Sequence, residues 1–309
     1  MSVLIDMSLR VLIYGIAGNF GRFSARDIAA YGTKVVAGVA PGRDTQEVEG
    51  VPVFQDARSA CAATGACAAL VYVPAPAALD AVLEVLDAGC TVIVYPGDGL
   101  PVQDAIEIRA AARRKHAILI GPNTPGVISP GKAKLGFMPS PCYAPGPLGV
   151  ISRSGSLSYE AGWRLTTAGL GQTTVIGIGG DPVKGLNAAE AIELLHADAQ
   201  TEALCYLGEI GGSDEYAVAR YAERPDAKPT AALIVGAAAP PGKKMGHAAA
   251  LVGSQADSQA AKVEALRKAG VHVAGNLRGL VDAARDALRQ AEPIRISTPL
   301  RPERREGAA

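Results

Sequence analysis

The feature that most limits what this chain can fold into is an alternation that runs twice: short β-branched or aliphatic segments separated by longer Ala-rich stretches of helical period. In the first run, residues 11–14, 34–39, 70–73, 91–94 and 118–120 read as strands. Helical stretches at 21–31, 75–88 and 103–114 lie between them. Each is long enough to carry the chain back across a sheet so that its strands pair in parallel. The second run has strands at 150–152, 173–178, 203–207, 231–235 and 271–274, with helices including 157–168 and 258–269. An α/β protein with two parallel sheets is expected, the first Rossmann-like and the second flavodoxin-like.

Between the runs, residues 121–149 are dense in proline and glycine, which argues against a long helix and suits a crossing between domains. The expected division is a first domain at 1–125, a linker at 126–148, a second domain at 149–290 and a flexible tail at 291–309. The tail combines proline and charge with little apolar content.

Thirty basic residues offset thirty acidic ones, so no overall field favours nucleic acid or an anionic membrane, and function has to be sought in local sites. The first residues lack the pattern of a secretory leader, and no apolar run is long enough for a membrane span. Five cysteines, odd in number and widely spaced, read as buried thiols in a reducing compartment rather than as disulfides or metal ligands. A cytoplasmic protein is expected, without a resident metal.

The first candidate site is GIAGNFG at 15–21, which follows the first strand and opens a helix. Glycines there allow close backbone approach, and the amides of a helix start attract phosphate, so Gly18, Asn19 and their neighbours could receive a nucleotide-like ligand. A tight turn with no ligand is the alternative. A dehydrogenase, a rival reading, would prefer GxGxxG and an acidic residue after the second strand. Arg43 stands there instead, and a basic residue suits phosphate better than a ribose diol.

The second candidate is SRSGSLSYE at 152–160, a strand end, a serine-rich turn and a helix start. Ser154, Gly155 and Ser156 offer amides and hydroxyls to an oxyanion, with plain helix capping as the alternative. A serine nucleophile is disfavoured, because neither G-x-S-x-G nor an acid–histidine pair accompanies it.

Of the four histidines, His247 alone lies in a loop rich in glycine and lysine, APPGKKMGHA at 239–248. An imidazole nitrogen can accept and release a phosphoryl group at neutral pH, and nearby cations can screen the incoming charge. Glu209 ends a buried strand, where a carboxylate could hold one imidazole N–H and leave the other nitrogen the better nucleophile. An ordinary surface histidine and a solvated glutamate are the alternatives for the two taken singly.

Taken in order, these segments resemble the succinate–CoA ligase α-subunit family. SRSGSLSYE, GIGGDP at 177–182, GEIGG at 208–212 and GKKMGHA at 242–248 carry the resemblance most specifically. AYGTKVVAGVAPG at 30–42, YVPAP at 72–76 and GPNTPGVISPG at 121–131 support it. The resemblance extends from about residue 2 to 288 and implies a CoA-binding domain followed by a flavodoxin-like one. It also implies a β-type partner subunit, in an αβ or α2β2 assembly, that carries an ATP-grasp site for ATP or GTP with Mg2+.

By that resemblance His247 is the phosphohistidine and Glu209 its carboxylate partner, Ser154 to Ser156 receive the phosphoryl group, and Tyr159 contacts a small carboxylic acid substrate. CoA would fall to Ala17, Gly18, Asn19 and Phe20, to Arg43, and to Pro96, Gly97 and Asp98. The departures sit on the CoA side. AGNFG stands where the family reads TGSQG, PGRDT where it reads PGKGG, GDG where it reads TEG, and Thr124 replaces a cysteine. They motivate two alternatives: an acyl phosphate passed to another acceptor such as an amine, and a non-catalytic CoA-sensing module.

Overall fold

A computed structural model describes residues 3–240 and 242–296, with the side chains of 292–296 left aside. In the first half, β1 (Arg10–Tyr14), α1 (Asn19–Ala30), β2 (Lys34–Val39), β3 (Glu47–Val48), β4 (Val51–Phe54), α2 (Ala57–Thr64) and β5 (Ala68–Val71) are followed by α3 (Ala78–Asp87), β6 (Val92–Val94), α4 (Val102–Arg114) and β7 (Ile118–Ile120). The strands lie in the order β3-β4-β2-β1-β5-β6-β7, parallel throughout except for the short edge strand β3. Without β3 this is the Rossmann order, whose direction reverses between β1 and β5.

The expected strand at 70–73 starts two residues earlier, at Ala68. All four β5 residues are buried, so packing on both faces overrides the weak strand preference of Ala68 and Ala69. Strand β4 carries Pro52, which hides it in the sequence and is tolerated because β4 is flanked only by the two-residue β3 on its outer side.

The second half holds β8 (Gly126–Ser129), β9 (Ala133–Gly136), β10 (Pro145–Ser152), α5 (Gly155–Thr167), β11 (Gln172–Gly177), α6 (Ala188–Ala197) and β12 (Ala203–Glu209). It continues with α7 (Asp214–Ala222), β13 (Thr230–Val235), α8 (Gln259–Lys268), β14 (His272–Ala274) and α9 (Leu277–Ile296). Its sheet runs β14-β13-β12-β10-β11-β8-β9. The five parallel strands follow the flavodoxin order, with the reversal between β10 and β12.

The expected linker at 126–148 is corrected. Its proline and glycine residues build a hairpin in which Ser129-Pro130-Gly131-Lys132 makes a tight turn, closed by Lys132 N–H donating to Ser129 C=O at 3.0 Å with Gly131 at φ 75°. Strand β8 adds antiparallel to β11, and β9 extends the edge. The tail expected at 291–309 lies mostly outside the described residues; its first six residues continue α9.

One apolar core runs through both halves, joining Val11, Ile13 and Ile28 to Val127, Leu135, Ile151 and Ile176, while two further cores cover the outer faces of the sheets. The joint is also polar. Thr33 Oγ1 donates to Lys134 C=O at 3.0 Å and accepts from Lys134 N–H at 2.9 Å, and the buried Lys134 ammonium meets Asp27 at 2.8 Å. The carboxyl ends of the second sheet are thereby fixed relative to those of the first.

Candidate active site

Strand β12 ends at Glu209, in register with Val235 of β13, and the loop that follows β13 brings Met245 and Ala250 beside this edge. His247 lies on that loop with its Nδ1 at 3.1 Å from Glu209 Oε1 and 3.0 Å from Oε2. Both carboxylate oxygens therefore face one ring nitrogen, which fixes Nδ1 as the proton-bearing one and turns Nε2 outward as the acceptor. The ring is about a quarter exposed while the carboxylate is buried.

Gly180 lies flat against the imidazole. A Cβ at that position would come within 2.4 Å of His247 Cγ, so the GGDP turn supplies a floor that only glycine fits. Ala249 N–H donates to Gly180 C=O at 3.2 Å and ties the loop to that floor. The Glu209 hydrogen bond is the largest influence on the imidazole and raises its pKa; burial and the Arg153 charge oppose the rise, and Asp181 adds to it.

A raised histidine stabilises the fold below its ordinary value of about 6.5, and that contribution is lost as pH rises through the folded value. Glu209→Gln removes the cause, so the imidazole midpoint is expected to move down, and with it the acid limb of any reaction at Nε2. The plateau rate should fall about 10- to 100-fold, as for lost supporting partners elsewhere. Histidine NMR titration and a pH–rate profile check both; an upward midpoint would contradict the geometry.

Beside β12, strand β10 ends at Ser152 and passes into α5, and the reversal of strand direction opens a crevice between these two loops. Ser154 caps α5, its hydroxyl accepting from Leu157 N–H at 3.4 Å, and the first-turn amides of Gly155 and Ser156 point out of the helix start. Tyr159 is one turn further along α5 and half-buried, its phenol pushed up to about 12 by burial. Sequence reasoning missed what lies underneath. Arg153, Glu215, Lys262, Asp214 and Lys184 form a buried ionic network, and Asn123 donates to Asp181 at 2.9 Å beside the GGDP turn. Arg153 and Glu215 are charges inside otherwise ordinary turn and helix sequence, so only their complete burial marks them.

At the carboxyl edge of the first sheet, between β1 and β5, lies a cavity of about 420 Å3. Gly18, Asn19, Phe20, Pro96, Gly97 and Asp98 line it, all from the expected set. Ala17 and Arg43 do not; Arg43 stands exposed past β2, its backbone carbonyl accepting from Gln55. Tyr72 and Phe137 complete the wall, 5.3 Å apart by ring centroids, and pack with Phe20 at 6.5 and 5.7 Å. Phe137 comes from the segment after β9, so sequence position gave no hint of it.

The glycine turn leaves room beside it, because a Cβ on Gly18 would meet only Gly15 C=O, at 3.4 Å. Gly18→Leu should fold, its φ of −77° being ordinary, and its side chain should fill the cavity. If CoA, which the resemblance implies, sits here, its affinity should drop at least about tenfold, or ~1.4 kcal/mol, by calorimetry; unchanged affinity would place CoA elsewhere.

Comparison with known proteins decides the family. Residues 6–96 match the family model described as CoA binding domain, and residues 151–272 match the one described as CoA-ligase. The succinate–CoA ligase [ADP-forming] subunit alpha of Aquifex aeolicus is 47% identical over 278 residues, covering 89% of this chain and 91% of that protein. This chain belongs to the succinate–CoA ligase α-subunit family.

A malate–CoA ligase subunit alpha of Methylorubrum extorquens is also similar, at 40% identity over 94% of this chain and the whole of that one. Among solved structures, an ATP citrate lyase from Methanothrix soehngenii, in complex with citrate and coenzyme A, superposes with a TM-score of 0.86 at 21% identity. It covers 96% of this chain, which spans about half of the lyase, and the likeness is one of fold. Among the described residues of this succinate–CoA ligase α-type chain, no helix is long and apolar enough to cross a membrane.

Proposed function

We propose that the chain is the α-type subunit of a nucleoside-diphosphate-forming carboxylate–CoA ligase, and that His247 carries the phosphoryl group. The observation that supports this most is the clamp of Nδ1 by both oxygens of Glu209, which leaves Nε2 as the nucleophile. The relatives named for succinate and malate make a small dicarboxylic acid the substrate class. A β-type subunit holding ATP or GTP with Mg2+ is the partner this reading requires, and free thiols throughout fit work in the cytoplasm.

The chemistry then divides into three displacements. Nε2 attacks the γ-phosphorus, the bond to the β–γ bridging oxygen breaks, and nucleoside diphosphate leaves. A carboxylate oxygen of the acid next attacks phosphorus, the N–P bond breaks, and the imidazole is restored with an acyl phosphate formed. The thiol of CoA, bound across the first-sheet cavity, then attacks the acyl carbon; inorganic phosphate leaves and takes up the thiol proton. Together the three steps replace one difficult displacement by moderate ones. Glu209 keeps its hydrogen bond to Nδ1–H throughout, so the positive charge that develops on the phosphorylated ring has a counter-charge in place. The amides of Gly155 and Ser156 and the Ser154 hydroxyl offer the phosphoryl oxygens a positive helix end.

The test is incubation of this chain and a β-type partner with γ-labelled ATP or GTP. Acid-labile, base-stable label on the chain, discharged by succinate or malate together with CoA, supports the reading. Discharge that needs an amine and ignores CoA would overturn the acceptor, and no label at all would overturn the phosphohistidine.

A further inference from the structure

The guanidinium of Arg153 is fully buried beneath the His247 site. Its Nη1 donates to the carbonyls of Glu209 and Gly211 at 3.2 and 2.7 Å and to Glu215 Oε1 at 3.0 Å. Nη2 lies 3.3 Å from Glu209 Oε1, within ion-pair range, yet neither Nη2 nor Nε makes a hydrogen bond among the described residues. A buried guanidinium usually fills its donors. Here the side of the fork facing Glu209 acts through charge and leaves both carboxylate oxygens to the imidazole.

The charges beneath the site are closely matched. Arg153, Lys262 and Lys184 face Glu209, Glu215 and Asp214, three against three. In this cluster an imidazolium at His247 would add a fourth cation. Other groups face the ring as well: Glu209 directly, and Asp181 from the turn after β11, both favouring the proton, with Arg153 opposing it. Tyr206, buried against Glu215, completes the surroundings of Arg153.

We propose that Arg153 is a positioning residue for His247: it holds the Glu209 backbone in place and, by its charge beside the Glu209 carboxylate, limits how strongly that carboxylate favours a proton on the ring. This rests on the phosphohistidine reading but is tested separately. Arg153 touches neither substrate nor the reacting nitrogen; it acts through Glu209.

The experiment is the titration of His247 in the full chain, labelled at histidine and assigned by comparison with His247→Asn, alongside phosphohistidine formation with the β-type partner. In Arg153→Met the competing cation is gone, and the His247 midpoint should rise, with the acid limb of phosphorylation rising in step. Arg153→Lys, which keeps the cation, should remain closer to the wild type. Arg153→Gln removes the charge but keeps donors for the Glu209 and Gly211 carbonyls, so its midpoint should rise as in Arg153→Met; it decides the matter if Arg153→Met does not fold. A midpoint that stays put or moves in the opposite sense, with phosphorylation of the wild type intact, overturns the inference. Absence of label in the wild type would instead sink the phosphohistidine reading alone.

Discussion

In His247→Asn, acid-labile phosphate should vanish and CoA ligation by the assembled enzyme should fall at least about 10^4-fold, the scale on which removal of a covalent nucleophile acts. Asparagine fills part of the space of the ring and can still face Glu209, but its amide nitrogen is not nucleophilic. The fold should be little affected, because the ring is partly exposed and its loop is held by backbone bonds: Met245 N–H to Ala250 C=O at 2.9 Å, Gly242 N–H to Val252 C=O at 3.1 Å and Ala249 N–H to Gly180 C=O. Phosphoenzyme trapping and steady-state kinetics check the loss, and thermal unfolding checks the fold. A variant still turning over within tenfold of the wild type would mean that phosphorus never visits the imidazole.

The largest stability effect is expected at Lys262. Its ammonium is buried and donates to Glu209 C=O at 2.9 Å, to Gly211 C=O at 2.6 Å and to Glu215 Oε2 at 2.6 Å. Burial lowers its pKa, and the Glu215 charge works against that fall. Lys262→Met preserves most of the volume but strips a buried carboxylate of one of its two cations and leaves two carbonyls short of a donor. Breaking a buried pair from one side costs about 3–5 kcal/mol, to be read from urea unfolding. Adding Glu215→Gln should recover part of it, since the uncompensated charge goes; a coupling of at least about 1 kcal/mol is expected for groups in contact. Strictly additive losses would mean that the pair is not coupled in the fold.

Strand and helix periodicity was enough for both sheets and their parallel character, because residues such as those of β6 and β12 are buried on both faces and read as unbroken apolar runs. It was not enough for β8 and β9, where glycine and proline serve a hairpin and resemble the composition of a linker, or for β4, whose proline sits at a tolerant edge. At the site, His247 and Glu209 stand 38 positions apart in the chain, and each is unremarkable alone; only the combination of motifs pointed to their meeting. Gly180, Phe137 and Arg153 could not be read in that way. The first matters for what it lacks, the second arrives from the other half of the molecule, and the third is hidden under the residues it serves.

The hairpin of β8 and β9 belongs to the second sheet yet rests on α1 and Tyr31 of the first half, where Gly131 N–H donates to the Tyr31 hydroxyl at 2.9 Å. Cutting the chain near residue 125 would therefore not release two modules. One fragment would lose Phe137 from its cavity wall, and the other would show water the Val127 and Leu135 side chains. Any recombination of this protein with a relative must carry the crossing along with both neighbours, so that the first-sheet cavity and the His247–Glu209 pair are inherited as a single casting.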